Sequence, residues 1–488
     1  MSDRAVIKGH TITKTMHLDA PRAEVWAVVS EPTGIARWFS DAVDLDSSAV
    51  GATGTLSWEG YGTFPVAIVA NEPSELFAWR WGSQPGTELL DDDSTTATFT
   101  LTDDGTYASF AITQTAVADY PTIRPHRMAI GFYSFEGEKL VRDFQVEIDV
   151  DGERTEVPQL IGRVKPDLLL INDDDLAYAK IRLDPDSLAV AIEHLRHIED
   201  PLARAIVWGA VWDATRDAET PASDYVRLVL GNIATETEST TIRTTLGQLG
   251  TTARVYVAPA KRAATIEHIA TELWALARAA EAGSDAQFQF VKFFANIAST
   301  PEHAAALRGL RDGDIVLDGL AIDTDLSWEL LEGLVLAGAA SEADVDAALA
   351  NDNTSNGQQA AARARATIAT PEGKRAAFDS LVTSDDLPNV IVRTVGMGYL
   401  HTNDPASLQP LIEPYFAMLN DIWKSRTYKI AEYIVIGLYP ASLASQELVD
   451  ATKAWLASNP EIPALRRLVI ENLAGVERAL IAQARDRA

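Results

Sequence analysis

The first part of the chain alternates apolar and polar positions, as expected for short strands around one helix. Alternation over residues 7–18 predicts a strand. Asp19 and Pro21 can then cap and open a helix through Val25, Trp26 and Val29. The following runs predict an antiparallel meander, with Asp104-Gly105 as a hairpin turn: 54–58, 63–69, 76–81, 95–101 and 107–113.

Strand patterns continue to about residue 185, where helical periodicity replaces them. The predicted strands are 128–135, 141–150, 168–171 and 177–183, with a hairpin turn at Asp151-Gly152. From Pro185 onward, helical stretches are separated by the breaks Asp200-Pro201, Thr300-Pro301, Thr370-Pro371 and Asn459-Pro460. We therefore expect a multi-domain α+β protein with three domains. These are an aromatic-rich domain over 1–110, a small β-sandwich over 111–185, and an all-α region over 186–488 whose stacked helical hairpins curve into a bowl.

Composition narrows the choice of partners. The 488 residues include 41 Lys and Arg against 70 Asp and Glu, a net charge of −29, which repels phosphates and anionic lipids. We therefore expect neither nucleic acid nor a membrane as a partner. The chain has no Cys, no segment resembling a signal peptide and no long uncharged apolar run, so a cytoplasmic location is predicted.

Common catalytic and metal-binding motifs do not occur in the sequence. There is no HExxH, GxxxxGK[ST], GxSxG or strand-linked GxGxxG. His194 and His197 share a helix face and could contact one ion, but no third ligand is indicated, and a solvated helix explains them more simply. The acidic runs lack the EF-hand pattern and predict exposed turns and helix caps: 91–93, 103–104, 173–175 and Asp323/Asp325. The prediction is no catalytic residue, no metal site and no cofactor.

Aromatic residues suggest a binding site in the first domain. Phe77, Trp79 and Trp81 alternate along one strand and share a face, and Phe64 occupies the matching face of the strand before. Together with the tryptophan of the helix, these rings could line a cavity for a small apolar ligand. The alternative is a core in which the rings pack against one another. The candidate ligand-binding residues are Trp26, Trp38, Trp58, Phe64, Phe77, Trp79 and Trp81.

Residues 1–105 resemble a START-like domain of the group related to the activator of Hsp90 ATPase. The matching features are Asp19-Ala20-Pro21, Val25-Trp26, Pro32, Ile35, Trp38, 51–58 and 76–81. The resemblance implies a helix-grip fold, in which a sheet wraps a long C-terminal helix and often encloses an apolar ligand. Here Tyr120-Pro121 and Arg124-Pro125 follow the last strand and cannot form that helix, so a truncated helix-grip domain is expected.

The rest of the chain, from about Phe110, resembles the C-terminal part of a zinc aminopeptidase of the aminopeptidase N type. The matching segments are 110–115 (FAITQT), 125–127 with Ile130-Gly131, 171–184 (INDDDLAYAKIRLD), 208–213, 422–423 and 436–440 (IGLYP). The resemblance implies a β-sandwich and an ERAP-like, HEAT- or armadillo-like helical bowl that closes over an active site carried by an earlier domain. That site uses HExxH, a downstream Glu and a GxMEN-like strand, none of which occurs here. The family's catalytic residues therefore have no counterparts, and the matching positions are predicted to serve packing and turns.

Both resemblances meet within residues 103–115, where each family places a strand. A functional fusion, a genomic deletion and a gene-model error would each produce such a junction. The first functional hypothesis is a non-catalytic binding or scaffold protein, with a small apolar ligand in the first domain and a peptide or protein in the helical bowl. The alternative is an aminopeptidase-family protein by descent, active with zinc only when another chain supplies the catalytic domain. A third hypothesis, an ATPase-activating cochaperone, rests on fold analogy alone.

Overall fold

A computed structural model describes residues 6–8, 11–14, 16, 18, 20–89, 94–102, 105–107, 109–118 and 120–487. The chain divides into two compact units, Met1–Met128 with Val146–Pro166, and Ala129–Gln145 with Asp167–Ala488. The predicted cap Asp19, the acidic runs 91–93 and 103–104, and therefore the predicted turn at Asp104 lie outside the described residues. The three-domain division at residues 110 and 185 stays a prediction.

The first unit begins with paired strands and two helices. Strands β1 (Val6–Lys8) and β2 (Thr11–Thr13) pair antiparallel, where alternation predicted one strand over 7–18. Helices α1 (Arg22–Ser30) and α2 (Pro32–Ile35) follow. Proline precedes the first helix and begins the second, because its fixed φ suits a first helical turn.

The main sheet of this unit is an antiparallel meander. Its strands follow chain order: β3 (Ala42–Asp44), β4 (Thr53–Trp58), β5 (Gly62–Glu72), β6 (Leu76–Gly82) and β7 (Ser94–Thr100). The meander is thus confirmed through its fourth predicted run. In the fifth run, the long strand predicted over 107–113 is wrong, since only β8 (Ala111–Thr113) forms.

The four strands that follow β8 belong to two further small sheets. They are β9 (His126–Glu136), β10 (Lys139–Val150), β11 (Arg154–Glu156) and β12 (Leu168–Asp173). The order β10-β9-β12 makes one sheet, and β11 pairs with β8 in another. The Asp151-Gly152 turn exists, but the strand after it pairs with β8 and not with β10, so the predicted hairpin is wrong.

No strand forms over residues 177–183, contrary to the prediction. Alternate basic side chains of this segment instead form ion pairs with acidic side chains. Lys180 and Arg182 both pair with Asp217, at 2.6 Å each. The alternation that predicted a strand therefore belongs to a segment whose backbone pairs with no strand.

Helices dominate the second unit, as the periodicity predicted. They are α3 (Pro185–His194), α4 (Pro201–Arg216), α5 (Ala222–Asn232), α6 (Ser239–Thr251), α7 (Pro259–Ala279), α8 (Asp285–Ile297), α9 (Pro301–Asp312), α10 (Thr324–Leu336), α11 (Glu342–Asn351), α12 (Ser355–Thr367), α13 (Pro371–Thr383), α14 (Asn389–Leu400), α15 (Ile412–Ser425), α16 (Tyr428–Gly437), α17 (Gln446–Ser458) and α18 (Pro463–Arg487). A π-helical turn, Thr252–Tyr256, connects α6 with α7.

Helix starts follow the predicted chemistry. Asp184, Asp200, Thr300 and Thr370 each precede a proline, and each side chain accepts a hydrogen bond from a backbone N–H of the first turn. Asp323 caps α10 in the same way, as predicted for this acidic pair. The sequence signal for these breaks was reliable because the cap and the proline act locally.

Alternate helices of the second unit pack side by side. Helices α8, α10, α12, α14, α16 and α18 contact one another in that order, and each also contacts the helix before it. The sequence predicted stacked helical hairpins, and this packing agrees with them. Curvature into a bowl stays a prediction.

Two large hydrophobic cores lie within this unit, and α18 contributes to both. Leu465, Leu468 and Val476 belong to the core around α14–α17, whereas Ala479 and Ala482 belong to the core around α4–α10. The last helix therefore returns to the first helices of the unit. Within the part of the chain that the structure describes, no helix is long and apolar enough to cross a membrane.

Candidate functional site

The predicted aromatic residues form one cluster in the first unit. Phe77 and Trp79 on β6 are fully buried, and Trp38 after α2 is 46% exposed. The Trp26 ring on α1 meets Phe77 edge-to-face at 5.9 Å. The half-buried members are Trp26, Trp58, Phe64 and Trp81. Helix α1 thus packs Trp26 against the aromatic face of the sheet.

Phe39 lies among these rings and was not included in the predicted set. Its ring centroid is 5.2 Å from that of Trp79 and 5.5 Å from those of Trp58 and Trp81. The indole N–H of Trp58 donates to the Phe39 carbonyl at 2.7 Å. These contacts agree with the core-filling alternative, and ligand binding stays a prediction. In the sequence, only the position of Phe39 next to Trp38 indicated that it would join this cluster.

Trp79 carries an unsatisfied polar group. Its side chain is 1% exposed, and its indole N–H has no hydrogen-bond acceptor among the described residues. By contrast, the indole N–H groups of Trp38 and Trp58 donate to the carbonyls of Val28 and Phe39. A buried unpaired donor costs about 1–3 kcal/mol. Trp79 is therefore the polar position that a ligand could satisfy.

Zinc, which the aminopeptidase resemblance implies, does not fit the side chains present. The rings of His194 and His197 are 5.6 Å apart, and the first also packs against Phe135 at 5.1 Å. Among the described residues, no group of three or more His, Cys, Asp or Glu side chains could hold a metal ion. The histidine pair is thus an aromatic contact at the end of α3.

The acidic segment 171–184 has a structural arrangement. Buried Asp173 accepts hydrogen bonds from Tyr133 at 2.9 Å and from Arg142 at 2.8 Å. A Cβ on Gly131 would lie 2.2 Å from the Asp173 carboxylate, so only glycine fits on the neighbouring strand. Ile130-Gly131 and 171–184 are both among the segments that resemble the aminopeptidase family. The contact between Gly131 and Asp173 explains why the two occur together.

The same segment turns through left-handed backbone conformations. Asn172, Asp174 and Asp175 have φ of 61°, 64° and 53°. The Asn172 side chain donates to the Ala177 carbonyl and accepts from its N–H, both at 2.8 Å. Asn and Asp tolerate this region better than other residues with a Cβ. The exposed turn predicted for 173–175 is confirmed for Asp174 and Asp175 but wrong for Asp173, which is buried at the end of β12 because it accepts from Tyr133 and Arg142.

A buried polar cluster, named here the helical junction, joins elements distant in sequence. His401 after α14 places Nδ1 2.7 Å from Glu332 on α10. Its Nε2 lies 2.8 Å from the Asn296 carbonyl and 3.2 Å from the Arg254 guanidinium. The neutral ring accepts from Arg254, whereas the protonated ring donates to Asn296. Arg363 on α12 also donates to Glu332, at 2.9 Å.

Burial and charge act in opposite directions at this junction. Burial alone would raise the pKa of Glu332, but the hydrogen bond from His401 and the charges of His401 and Arg363 outweigh it and lower this pKa to about 2. Burial lowers the pKa of His401 and lowers that of Arg254 to about 10. The carboxylate therefore stays charged at neutral pH.

Lys374 lies beside the junction on α13. Its fully buried Nζ donates to the carbonyls of Ala366 at 2.8 Å, Gly398 at 3.1 Å and His401 at 3.2 Å. These carbonyls lie at the C-terminal ends of α12 and α14, where a positive charge is favoured. Sequence reasoning missed both Lys374 and the junction, because their members are isolated charges spread from residue 254 to residue 401.

Comparison with known proteins finds matches in both units. Residues 168–478 match the ERAP1-like C-terminal domain, and residues 19–140 match Activator of Hsp90 ATPase homolog 1-like protein. Aminopeptidase N of Streptomyces lividans is 45% identical over 369 residues, which cover 75% of this chain and 43% of that protein. The chain thus spans less than half the length of this relative. Both resemblances drawn from the sequence are confirmed.

Proposed function

The chain belongs to the family of proteins with an ERAP1-like C-terminal domain, and we propose that it is a non-catalytic binding protein whose helical region holds a peptide or protein partner. The distribution of exposed apolar side chains carries this proposal. Among the described residues after 341, the exposed large hydrophobic side chains all lie on α14, α16 and α18. They are Val390, Met397, Tyr428, Ile436, Ile470 and Ile481.

Helices α14, α16 and α18 belong to the layer formed by the even-numbered helices from α8 to α18, in which neighbouring backbones come close together. A Cβ on Gly396 of α14 would lie 2.9 Å from the Cα of Gly437 on α16, and one on Gly398 would lie 2.3 Å from the Arg363 carbonyl on α12. In a curved two-layer array, the more closely spaced layer lies on the inside of the curve. The proposed binding surface is therefore a concave face that includes Met397 and Ile436.

Charge selects the kind of partner. With 70 acidic against 41 basic residues, the chain attracts basic segments over distances comparable with the Debye length. Apolar contacts on α14 and α16 would then hold the partner in place. An amphipathic basic peptide matches both properties.

The test compares two labelled peptides of equal length, one alternating leucine with lysine and the other leucine with glutamate, by fluorescence anisotropy at low and high ionic strength. We expect the lysine peptide to bind more tightly than the glutamate peptide, and the difference in affinity to shrink at high ionic strength.

Variants test the position of the surface. Met397→Glu or Ile436→Glu should weaken binding about fivefold or more, because each removes roughly 1 kcal/mol or more of apolar burial. Val316→Glu, at an exposed apolar position between α9 and α10, is the matched control. Equal affinities for the two peptides would contradict the proposal.

A second candidate function follows from the aminopeptidase relative. The matched region covers 43% of that protein, so a catalytic part from another chain could combine with this one. In that arrangement zinc would belong to the other chain. The absence of HExxH from the sequence supports the view that the chain does not cleave peptides by itself.

Turnover of leucine p-nitroanilide separates the two functions. We expect no turnover by the purified chain, and no increase when it is added to a zinc-loaded catalytic fragment of an aminopeptidase N. Chelator-sensitive turnover by the purified chain would contradict the non-catalytic proposal. An increase upon mixing would instead favour the second candidate.

For the first unit, we propose a small apolar ligand with one hydrogen-bond acceptor. The unpaired indole N–H of Trp79, surrounded by Phe39, Phe77 and Phe99, supports this choice. Such a ligand would lie between the rings and accept from Trp79. Prodan, a fluorescent naphthalene ketone, is a suitable probe because it combines an apolar body with one carbonyl.

Trp79→Phe tests this proposal against Trp58→Phe. The first change removes an unpaired donor together with part of a buried ring, so we expect a loss of stability no larger than that of the second change, while prodan binding weakens severalfold. The second removes the hydrogen bond to Phe39 and should cost about 1 kcal/mol of stability. Thermal unfolding and probe fluorescence measure the two effects. Equal prodan binding by wild type and Trp79→Phe would refute the role of the N–H.

A further inference from the structure

A groove runs along one face of α4, separate from the helix layer described above. Its walls are this helix and the turn segment that begins at Asn172. The α4 residues are spaced as one helical face: Leu202, Ala205, Ile206, Gly209, Ala210 and Asp213. The opposite wall carries Asn172, Asp175, Ala179 and Ile181. The groove has a volume of about 240 Å³.

Gly209, on the α4 wall, faces open space. A Cβ built on Gly209 meets no atom within 4 Å, although the residue lies mid-helix opposite a folded segment. The segment itself is fixed, because Asn172 exchanges two hydrogen bonds with Ala177 at 2.8 Å. The groove is therefore a property of the folded backbone and does not depend on one side-chain rotamer.

The lining combines an apolar floor with two carboxylates. Ile181, Leu202 and Ile206 are apolar, and the carboxyl groups belong to Asp175 and Asp213. No hydrogen bond or ion pair is formed by the half-buried Asp213 side chain with any described residue, whereas Asp175 accepts one long bond of 3.3 Å from Asn172. Asp213 is thus a half-buried carboxylate without a counter-ion among the residues that the structure describes.

The basic residues on either side of Ile181 pair with acidic groups that do not line the groove. Lys180 pairs with Asp217 at 2.6 Å, and Arg182 pairs with Asp217 and Glu219. They therefore do not neutralise Asp213. A cation carried by a partner would complement this carboxylate and Asp175.

The groove is suited to one side chain and not to a larger ligand. Small-molecule sites usually measure about 300–1,000 Å³. An anion would be repelled by the carboxylates, and the two carboxylates alone do not make a metal site, in agreement with the lack of any three-residue ligand group in the described chain. A long aliphatic stem with a terminal cation matches both the floor and the acidic end.

We propose that this groove binds a lysine or arginine side chain presented by a peptide segment of a partner. The stem of the basic residue lies along Ile181, Leu202 and Ile206, and its charge pairs with Asp213. Leu176 and Tyr178, which lie between the lining residues Asp175 and Ala179 in the sequence, are exposed and available to contact the partner.

The test measures binding of the full chain to a labelled peptide of alternating glycine and lysine, and to the same peptide with norleucine in place of lysine. Norleucine keeps the stem and removes the charge. We expect the lysine peptide to bind at least tenfold more tightly at low ionic strength. Equal affinities, or no binding of the lysine peptide, would overturn the proposal.

Variants locate the contact. Asp213→Asn should weaken lysine-peptide binding about fivefold, and Gly209→Leu, which fills the groove, more than tenfold. The matched controls are Asp421→Asn and Gly247→Leu, since Asp421 is an exposed helical aspartate and Gly247 an exposed helical glycine with no atom within 4 Å of its Cβ position. Both controls should stay within twofold of wild type.

These results are distinguishable from those for the concave face. Weakening by Met397→Glu alone would overturn the groove and leave the proposed function standing. Weakening by Asp213→Asn and Gly209→Leu alone would support the groove and contradict the concave surface. An equal effect of the groove variants and their controls would also overturn the groove, because it would show a loss of fold and not of a contact.

Discussion

Asp486, near the end of α18, joins three helices through one buried carboxylate. It accepts from the N–H and the hydroxyl of Ser223 at 2.7 Å each, and from the N–H of Ala258 at 2.9 Å. Ser223 lies in the first turn of α5, and Ala258 directly precedes α7. The carboxylate thus satisfies N-terminal groups of two helices, where a negative charge is also favoured.

Replacing this residue should strongly destabilise the helical unit. Each hydrogen bond to a charged group contributes about 1.5–3 kcal/mol, and alanine would leave two amide N–H groups without an acceptor. Because such contributions are not additive, we expect a loss of about 3–5 kcal/mol for Asp486→Ala. Asp486→Asn should lose about half as much, since one oxygen remains but the amide nitrogen faces the N–H of Ala258.

Urea unfolding followed by far-ultraviolet circular dichroism measures this loss, because the helices dominate the signal. Asp421→Ala on the exposed face of α15 is the control, and it should change stability by no more than about 0.5 kcal/mol. A stability of Asp486→Ala within about 1 kcal/mol of wild type would refute the argument that this carboxylate holds the last helix against the first helices.

Two further predictions concern the helical junction and the close glycine contacts. The lowered pKa of Glu332 gives stability that is present above the unfolded value of 4.5 and is lost as pH falls toward the folded value of about 2. Wild type should therefore lose about 0.8 kcal/mol more than Glu332→Gln between pH 6 and pH 4, measured by urea unfolding, and parallel curves would contradict this. Gly398→Ala should cost about 2 kcal/mol, because its Cβ would lie 2.3 Å from the Arg363 carbonyl. Gly475→Ala, which meets nothing within 4 Å, should instead gain up to about 1 kcal/mol in the same assay, and equal effects of the two would sink the packing argument.

Local signals in the sequence predicted much of the fold. The meander strands β4 to β7 and the capped helices α3, α4, α9 and α13 occur where alternation and the Asp-Pro or Thr-Pro pairs placed them. Such signals succeed because strand period, proline and cap chemistry act within a few residues. Pairing partners were not predictable in this way. The turn at Gly152 is present, yet its following strand pairs with β8, because register depends on distant chain segments.

In the candidate sites too, local patterns were predictable from the sequence and contacts between distant residues were not. Alternation correctly placed Phe77 and Trp79 on one covered face, but it could not show that the Phe39 ring would pack against Trp79. Nor could it show which indole N–H would find an acceptor, since that depends on a carbonyl from another element. The unpaired donor of Trp79 became visible only in the fold.

The helical junction shows most clearly why the rest could not be predicted. Glu332 and His401 are ordinary polar residues in the sequence, and four helices, α11 to α14, lie between them. Burying either one alone would be costly, because an unpaired charge in the interior is unfavourable. Together with Arg254 and Arg363, their charges and hydrogen bonds compensate the cost of burial, so each residue is explained only by the others.

The same cluster connects helices that are far apart in the sequence. Arg254 precedes α7, Glu332 lies on α10, and His401 follows α14. The cluster therefore fixes distant helices of the unit at set positions beside the close glycine contacts. A rigid array of this kind would keep the apolar surface on α14 and α16 formed without a partner, and this favours a preformed binding face over one that folds upon binding.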